Sequence, residues 1–141
     1  MSFEILDVQD SAKLQNFATE ITGKYPALNV LINMAGIMKP EDLSGSPDSS
    51  TIDGTIATNL TAPLQLTAAL LPHLKQKQKA TVMTVTSGLA FLPLAITPTY
   101  CATKAALHSW SISLRYQLRN TSVKVLDLAP PYVQTELLGA H

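Results

Sequence analysis

The sequence predicts an α/β fold built on a parallel sheet. Apolar runs of strand length alternate with helix-length segments in the order βαβαβαβ, the pattern of strands joined by crossover helices. Several of these runs are apolar at successive positions, as expected of parallel strands buried on both faces. Right-handed crossovers should join them.

FEILDV (3–8) is the first short apolar run. Asp10 is placed to cap the helix that follows, in which Leu14, Phe17 and Ile21 share a face and Gly23 and Pro26 act as stop signals. NVLINMA (29–35) is the second strand, and KPEDLSGSPDSS (39–50) has the composition of a loop. Residues 51–78 predict one long helix, interrupted at Pro63. ATVMTVTS (80–87) is the third strand. Residues 99–119 form a helix with Leu107, Leu114 and Leu118 on one stripe, and VKVLDLA (123–129) is a fourth strand stopped by Pro130 and Pro131. With no repeat, low-complexity tract or internal boundary, residues 1–141 read as a single domain.

Composition narrows the class. The chain is 46% hydrophobic and only 14% charged, which fits a buried core and excludes a disordered chain. Ten basic residues balance ten acidic ones, so no charge excess points to nucleic acid or a charged membrane. One cysteine, Cys101, excludes an internal disulfide framework and fits a reducing compartment. The longest apolar run, LAFLPLAI (89–96), is too short to span a bilayer, and MSFEILDVQD lacks a signal pattern. A soluble cytoplasmic protein is expected.

The chemistry centres on TPTYCATKAALHSW (97–110), which places Tyr100 and Lys104 four residues apart among small residues. That spacing puts a phenol and an ammonium on one helix face. A free phenol titrates near pH ~10, and a neighbouring ammonium favours its ionised form. Such a tyrosine can exchange a proton with a carbonyl or alcohol oxygen. Taken alone, the pair fits better with an exposed tyrosine beside an unrelated lysine, since both residues are common on helices. Ser87 closes the third strand, at the carboxyl edge where α/β sheets hold ligands. NMAG (33–36) ends the second strand at the same edge, where Gly36 allows close backbone approach. Asn59 precedes Pro63 by four residues. Proline cannot close the helical bond to the Asn59 carbonyl, which is expected to leave that group open to water and to kink the helix. An ordinary proline kink is the alternative.

The segments INMAG (32–36), ATNLTAP (57–63), VTS (85–87), YCATK (100–104) and LAPPYVQTEL (128–137) stand in the order and spacing of the short-chain dehydrogenase/reductase family. The chain resembles that family over nearly its whole length. The resemblance implies a partial Rossmann-like parallel sheet, corresponding to strands three to six of a doubly wound fold. It also implies an oxidoreductase that moves hydride between NAD or NADP and a small carbonyl or alcohol substrate. By the same resemblance Tyr100 is the proton donor or acceptor. Lys104 holds the nicotinamide ribose and lowers the tyrosine pKa, Ser87 hydrogen-bonds the substrate oxygen, and Asn59 holds a water linking the lysine to solvent. Asp7 matches the acidic residue near the adenine, and Asn33, Ala35 and Gly36 match the segment along the adenosine. Val133 and Thr135 match positions near the nicotinamide amide, and Pro130 is also among the coenzyme-binding positions. Local capping is the alternative for Asp7 and Thr135.

The chain departs from the family pattern in places. Asn33-Met34 stands where the family pairs two asparagines, and Pro130-Pro131 stands where it has Pro-Gly. Glycines at 23, 36, 45, 54, 88 and 139 include no pair spaced for the turn that brings a pyrophosphate to a helix N-terminus. The chain therefore reads as starting at the family's third strand and stopping before its last helices and strand. An inactive fragment or pseudoenzyme acting as a binding or assembly partner is the alternative function. In the family's strand order 3-2-1-4-5-6-7, the first run has three fates: it pairs beside the second, pairs with another molecule, or detaches. If it pairs beside the second, the three helices fall on one face and leave the other apolar and bare. A homo-oligomer, using helices 51–78 and 99–119, is expected to relieve this.

Other residues read more plainly. His73, His108 and His141 lack metal-ligand spacing, and His108 reads as helix surface or packing. Cys101 reads as a small buried residue, and Trp110 and Tyr116 as packing residues. Phe91, Leu92, Leu94 and Ile96, between Ser87 and Tyr100, either favour an apolar substrate or belong to the core.

Overall fold

The structure is a computed structural model and describes residues 4–131. Its elements are α1 (Ser11–Lys24), β1 (Val30–Asn33), α2 (Ser49–Ile56), a π-helical turn (Ala57–Thr61), α3 (Ala62–Leu74), β2 (Ala80–Val85), a 3-10 turn (Gly88–Ala90), α4 (Pro98–Gln117) and β3 (Val123–Leu128). The strands form a parallel sheet in the order β1-β2-β3. This is the partial Rossmann-like α/β arrangement that the sequence predicts.

One expected strand is missing from the described residues. Residues 4–8 of the first apolar run are not in a strand, and Ile5 is 96% exposed. In the doubly wound order 3-2-1-4 this run and β1 are not neighbours, and no other described strand stands beside it. Without a ladder partner its backbone has no reason to extend. The segment instead turns into α1: Asp10 N–H donates to Asp7 O, and the Asp10 side chain accepts from Ala12 and Lys13 N–H as the N-cap.

The helix predicted over residues 51–78 is also divided. Asp48 caps α2 by accepting from Ser50 N–H, and the backbone then widens into a π turn at Ala57–Thr61. Ala62 N–H reaches back five residues to Ala57 O, one residue before Pro63, whose missing N–H interrupts the regular ladder. The freed helical register is thus absorbed as a π turn that contains Asn59.

Among the described residues, helix packing on the sheet uses one face. Helix α3 lies against β1 and β2, α4 lies against β2 and β3, and α1 packs on α3. Leu31, Val82 and Val125 form an apolar rung across the three strands, continued by Leu70, Leu74, Leu114 and Leu118. Fully burying one such side chain contributes about 1.5–3 kcal/mol. Two residues further along, the next rung is Asn33, Thr84 and Asp127. Each is bonded: Asn33 Nδ2 donates to Thr67 Oγ1 at 2.9 Å, Thr84 and Ser111 hydroxyls meet at 2.7 Å, and Asp127 accepts from Thr86. The core therefore turns from apolar to polar toward the carboxyl ends of the strands.

The opposite face corrects the expectation of strands buried on both sides. Val30, Ile32, Leu126 and Leu128 point there, with Ile32 52% and Leu128 50% exposed. Successive apolar positions report sequence composition, whereas burial requires a covering layer, and the described helices all lie on the other side. Leu107, Leu114 and Leu118 are buried as the α4 stripe predicts. Trp110 packs against the core, but Tyr116 does not. It is exposed and stacks under Arg119. Among the described residues no helix is long and apolar enough to cross a membrane.

Candidate functional site

Three segments converge at the carboxyl edge of the sheet. β2 runs out through Thr86 to Ser87, whose extended backbone (φ −166°, ψ 156°) starts the 3-10 turn, and the Ser87 hydroxyl accepts from Leu89 N–H. Thr86 N–H donates to Leu128 O and Gly88 N–H to Pro130 O, so the β2 and β3 exits stay joined beyond the strands. This brings Pro130 to the rim of the site. Helix α4 begins with Pro98, whose fixed φ suits a first helical position. Its first turn is fastened from outside: Glu41 accepts from both Thr99 N–H (2.9 Å) and Thr99 Oγ1 (2.6 Å). Tyr100 is the next residue.

Tyr100 is 6% exposed and packs with Met38 and Cys101, against which Leu89 rests. Burial pushes its phenol above the usual value, a hydrogen bond with Ser87 pulls the other way, and Cys101 adds to the rise. The expectation that Lys104 lowers this pKa is corrected. The ammonium lies over the Tyr100 ring, 5.6 Å from its centroid, and donates instead to Val85 O at 2.8 Å. Desolvation of the phenolate is the largest influence on it, ahead of the Ser87 hydrogen bond. Lys104 is itself only 4% exposed. Burial pulls it below its ordinary value, and Asp127 opposes that shift.

Asn59 closes the third side. Ile37 N–H donates to Asn59 Oδ1, and Asn59 Nδ2 donates to Ile37 O and, more weakly at 3.4 Å, to Thr103 Oγ1. The side chain is thus committed to holding the loop after β1 against α4. A water role would fall to its backbone carbonyl, as the Pro63 argument requires. A Cβ built on Gly36 would lie 3.5 Å from Asn59 Oδ1 and 3.7 Å from Lys104 Nζ, which places all three residues around one space.

The remaining candidates separate. Asn33 is buried, and its amide is bonded to Thr67 inside the core. Ala35 and Met34 are exposed beside it. Asp7 is exposed and accepts from Gln9 N–H, the local capping geometry, while Gln9 Nε2 reaches Thr58 Oγ1 near the π turn. Val133 and Thr135 lie outside the described residues. Phe91, Leu92, Leu94 and Ile96 are exposed, so among the two readings the core is ruled out. Cys101 is buried, and its sulfur is near Leu94 N, Leu94 O and Thr97 Oγ1.

Sequence reasoning missed Glu41, Thr103 and Asp127 and underrated His108. Asp127 carried a legible signal, because it continues the inward-facing series Val123, Val125. His108 stands four residues beyond Lys104 on the same helix face. Glu41 and Thr103 carried none, since their partners are set by tertiary contact.

As a donor set, the site fits a nicotinamide ribose. The ammonium has three protons and gives one to Val85 O, leaving two suited to a vicinal diol. Gly36 keeps the space beside that nitrogen open. A family model described as short chain dehydrogenase matches residues 2–141. The chain is 48% identical over 132 residues to the uncharacterized oxidoreductase DltE of Bacillus subtilis, covering 93% of this chain and 52% of that protein. It is 28% identical to the NADP-dependent 3-hydroxy acid dehydrogenase YdfG of Escherichia coli K12, covering 91% and 52%. A solved short-chain dehydrogenase from Streptomyces avermitilis superposes with a TM-score of 0.86 at 28% identity, over 97% of this chain and 50% of that one. The chain spans about half the length of the relatives it matches.

Proposed function

The chain belongs to the short chain dehydrogenase family, and from that premise we propose that it supplies the proton-transfer half of an NAD(P)-dependent oxidoreductase acting on a carbonyl or alcohol. The observation that carries this reading is the convergence of Ser87, Tyr100 and Lys104 at one sheet edge. A bound nicotinamide coenzyme would supply or accept the hydride. Tyr100, held as a neutral phenol by burial, is in the protonation state needed to donate to a carbonyl oxygen as it is reduced. The Ser87 hydroxyl, close enough to that phenol to oppose the rise in its pKa, donates to the same oxygen and fixes its position. Lys104, with two ammonium protons free of Val85 O, holds the ribose hydroxyls. Asn59 keeps the Gly36–Ile37 backbone closed against the lysine.

Phe91, Leu92 and Ile96, exposed between Ser87 and Tyr100, favour a substrate with an apolar body. Self-association is proposed through α2 and α4, where Ile52, Ile56, Leu60, Ala102 and Ala106 line an apolar groove. A cytoplasmic location is also proposed, and the free, buried Cys101, which fits a reducing compartment, supports it. The bare sheet face at Ile32 and Leu128 favours a second reading, in which the chain acts as an assembly partner without turnover.

The test is oxidation of NADPH and NADH in the presence of a panel of carbonyl compounds, by a complete version of this chain that also supplies the pyrophosphate turn, as wild type and as Ser87→Ala. Turnover by the wild type, reduced about two to three orders of magnitude in the variant, is expected. Coenzyme binding without turnover on any carbonyl would overturn the enzymatic reading and leave the assembly reading.

A further inference from the structure

Tyr100, Lys104 and His108 recur every four residues along α4, so they line one face of that helix. Beyond Lys104 this line ends on a carboxylate. Asp127 lies on β3 with its side chain only 8% exposed. Its Oδ1 accepts from the Thr86 hydroxyl at 2.7 Å, and its Oδ2 is bonded to His108 Nδ1. Thr86 stands between Val85, whose carbonyl accepts from Lys104, and Ser87. The far side of the imidazole meets the Phe91 ring edge-on, with centroids 4.7 Å apart and planes at 72°.

A buried carboxylate is costly unless paired and bonded, and an apolar side chain is often the cheaper occupant of such a position. Val123 and Val125 show what this face of β3 otherwise carries. The acid at the next inward position is satisfied directly by Thr86 and His108, and those bonds place its charge behind the strand segment whose Val85 carbonyl holds Lys104. Resting on the reading of Lys104 given above, we propose that Asp127 is a positioning residue for Lys104: a counter-charge behind the site, fixed by Thr86 and His108, that keeps the lysine an ammonium. The hydrogen bonds make the geometry one-sided. Both oxygens are engaged by Thr86 and His108, and among the described residues the carboxylate makes no direct ion pair with Lys104, whose ammonium donates to Val85 O. Burial acts against the charged lysine, and Asp127 is the group that opposes it.

Among the described residues the titratable groups around this element are few. Tyr100 lies under the Lys104 ammonium on the same helix, and His108 is bonded to Asp127. The other contacts of the lysine, Val85 O, Gly36 and Asn59, carry no charge.

The test needs no turnover. The Lys104 side chain is followed by nitrogen and carbon NMR across a pH titration, with its signal assigned by comparison with Lys104→Arg. Asp127→Asn keeps the shape and an acceptor while removing the charge, and should move the Lys104 midpoint to lower pH. Asp127→Glu should restore most of the shift. An unmoved midpoint in folded Asp127→Asn would overturn the proposal. Should that variant not fold, the wild-type protein decides. The Asp127 carboxyl carbon should show an inflection at the Lys104 midpoint, and a signal flat through that range would overturn the coupling. Because the readout is titration, it can succeed even if the catalytic reading fails in a Tyr100 variant, so the two failures are distinguishable.

Discussion

Asn59 and Ile37 exchange two hydrogen bonds: Ile37 N–H donates to Asn59 Oδ1, and Asn59 Nδ2 donates to Ile37 O, each at 2.8 Å. One amide side chain therefore satisfies both backbone groups of a loop residue next to Gly36. Asn59→Ala leaves that donor and acceptor without partners in a site where Asn59 is 1% exposed. Each orphaned group costs about 1–3 kcal/mol. Urea unfolding should show a loss of about 2 kcal/mol or more, and a variant as stable as the wild type would contradict the role assigned to this pair.

Glu41 acts as a remote cap on α4. Its carboxylate takes the Thr99 N–H that the Thr97 side chain does not cap. Glu41→Ala should destabilise the protein by about 0.5–2 kcal/mol, the range for loss of a helix cap. The Thr99 amide should also exchange faster with solvent. Unchanged exchange at Thr99 would remove Glu41 from the account of how Tyr100 is placed.

The Tyr100 phenol should titrate above the usual tyrosine value in the coenzyme-free protein, because burial raises it. The sign for stability follows. A group whose folded value is raised contributes fully below its unfolded value of about 10, and that contribution fades as pH rises through the folded value. Ultraviolet difference titration of wild type against Tyr100→Phe isolates this phenol. A midpoint below the ordinary value would show that Lys104 dominates after all.

The bare sheet face predicts association. Val30, Ile32, Leu126 and Leu128 are apolar and exposed on one side of the sheet, and among the described residues both edge strands offer unpaired ladder groups. Light scattering should report a dimer or larger species. Ile32→Glu with Leu128→Glu should shift it toward smaller species without loss of helix content. A monodisperse wild-type monomer with cooperative unfolding would refute the expectation.

Much of this molecule was legible in its residues. The three paired strands, the α4 stripe of Leu107, Leu114 and Leu118, and the Asp10 cap follow from period and local chemistry. So does the disturbance at Pro63, although its form as a π turn does not, because the missing N–H says which bond is lost and not how the neighbours regroup. The sequence placed Ser87, Tyr100 and Lys104 on one edge by order alone. It misjudged the charge balance there, since the spacing of Tyr100 and Lys104 says nothing about the Val85 carbonyl that draws the ammonium aside. It also counted FEILDV as a strand, because an apolar run reports the ability to pair and not the presence of a partner. Asp127 was hidden by reading VKVLDLA as apolar overall when its alternation pointed the acid inward.

The central claim is that Tyr100 is the acid that completes reduction at this site. Its most direct test is the rate of carbonyl-dependent coenzyme oxidation by Tyr100→Phe in a complete version of this chain, one that also supplies the pyrophosphate turn, measured on the substrate its wild-type form reduces best, with circular dichroism confirming an intact fold. The account predicts a fall of about two to four orders of magnitude, the usual contribution of a positioned general acid, with coenzyme binding retained. Turnover near the wild-type rate would contradict it.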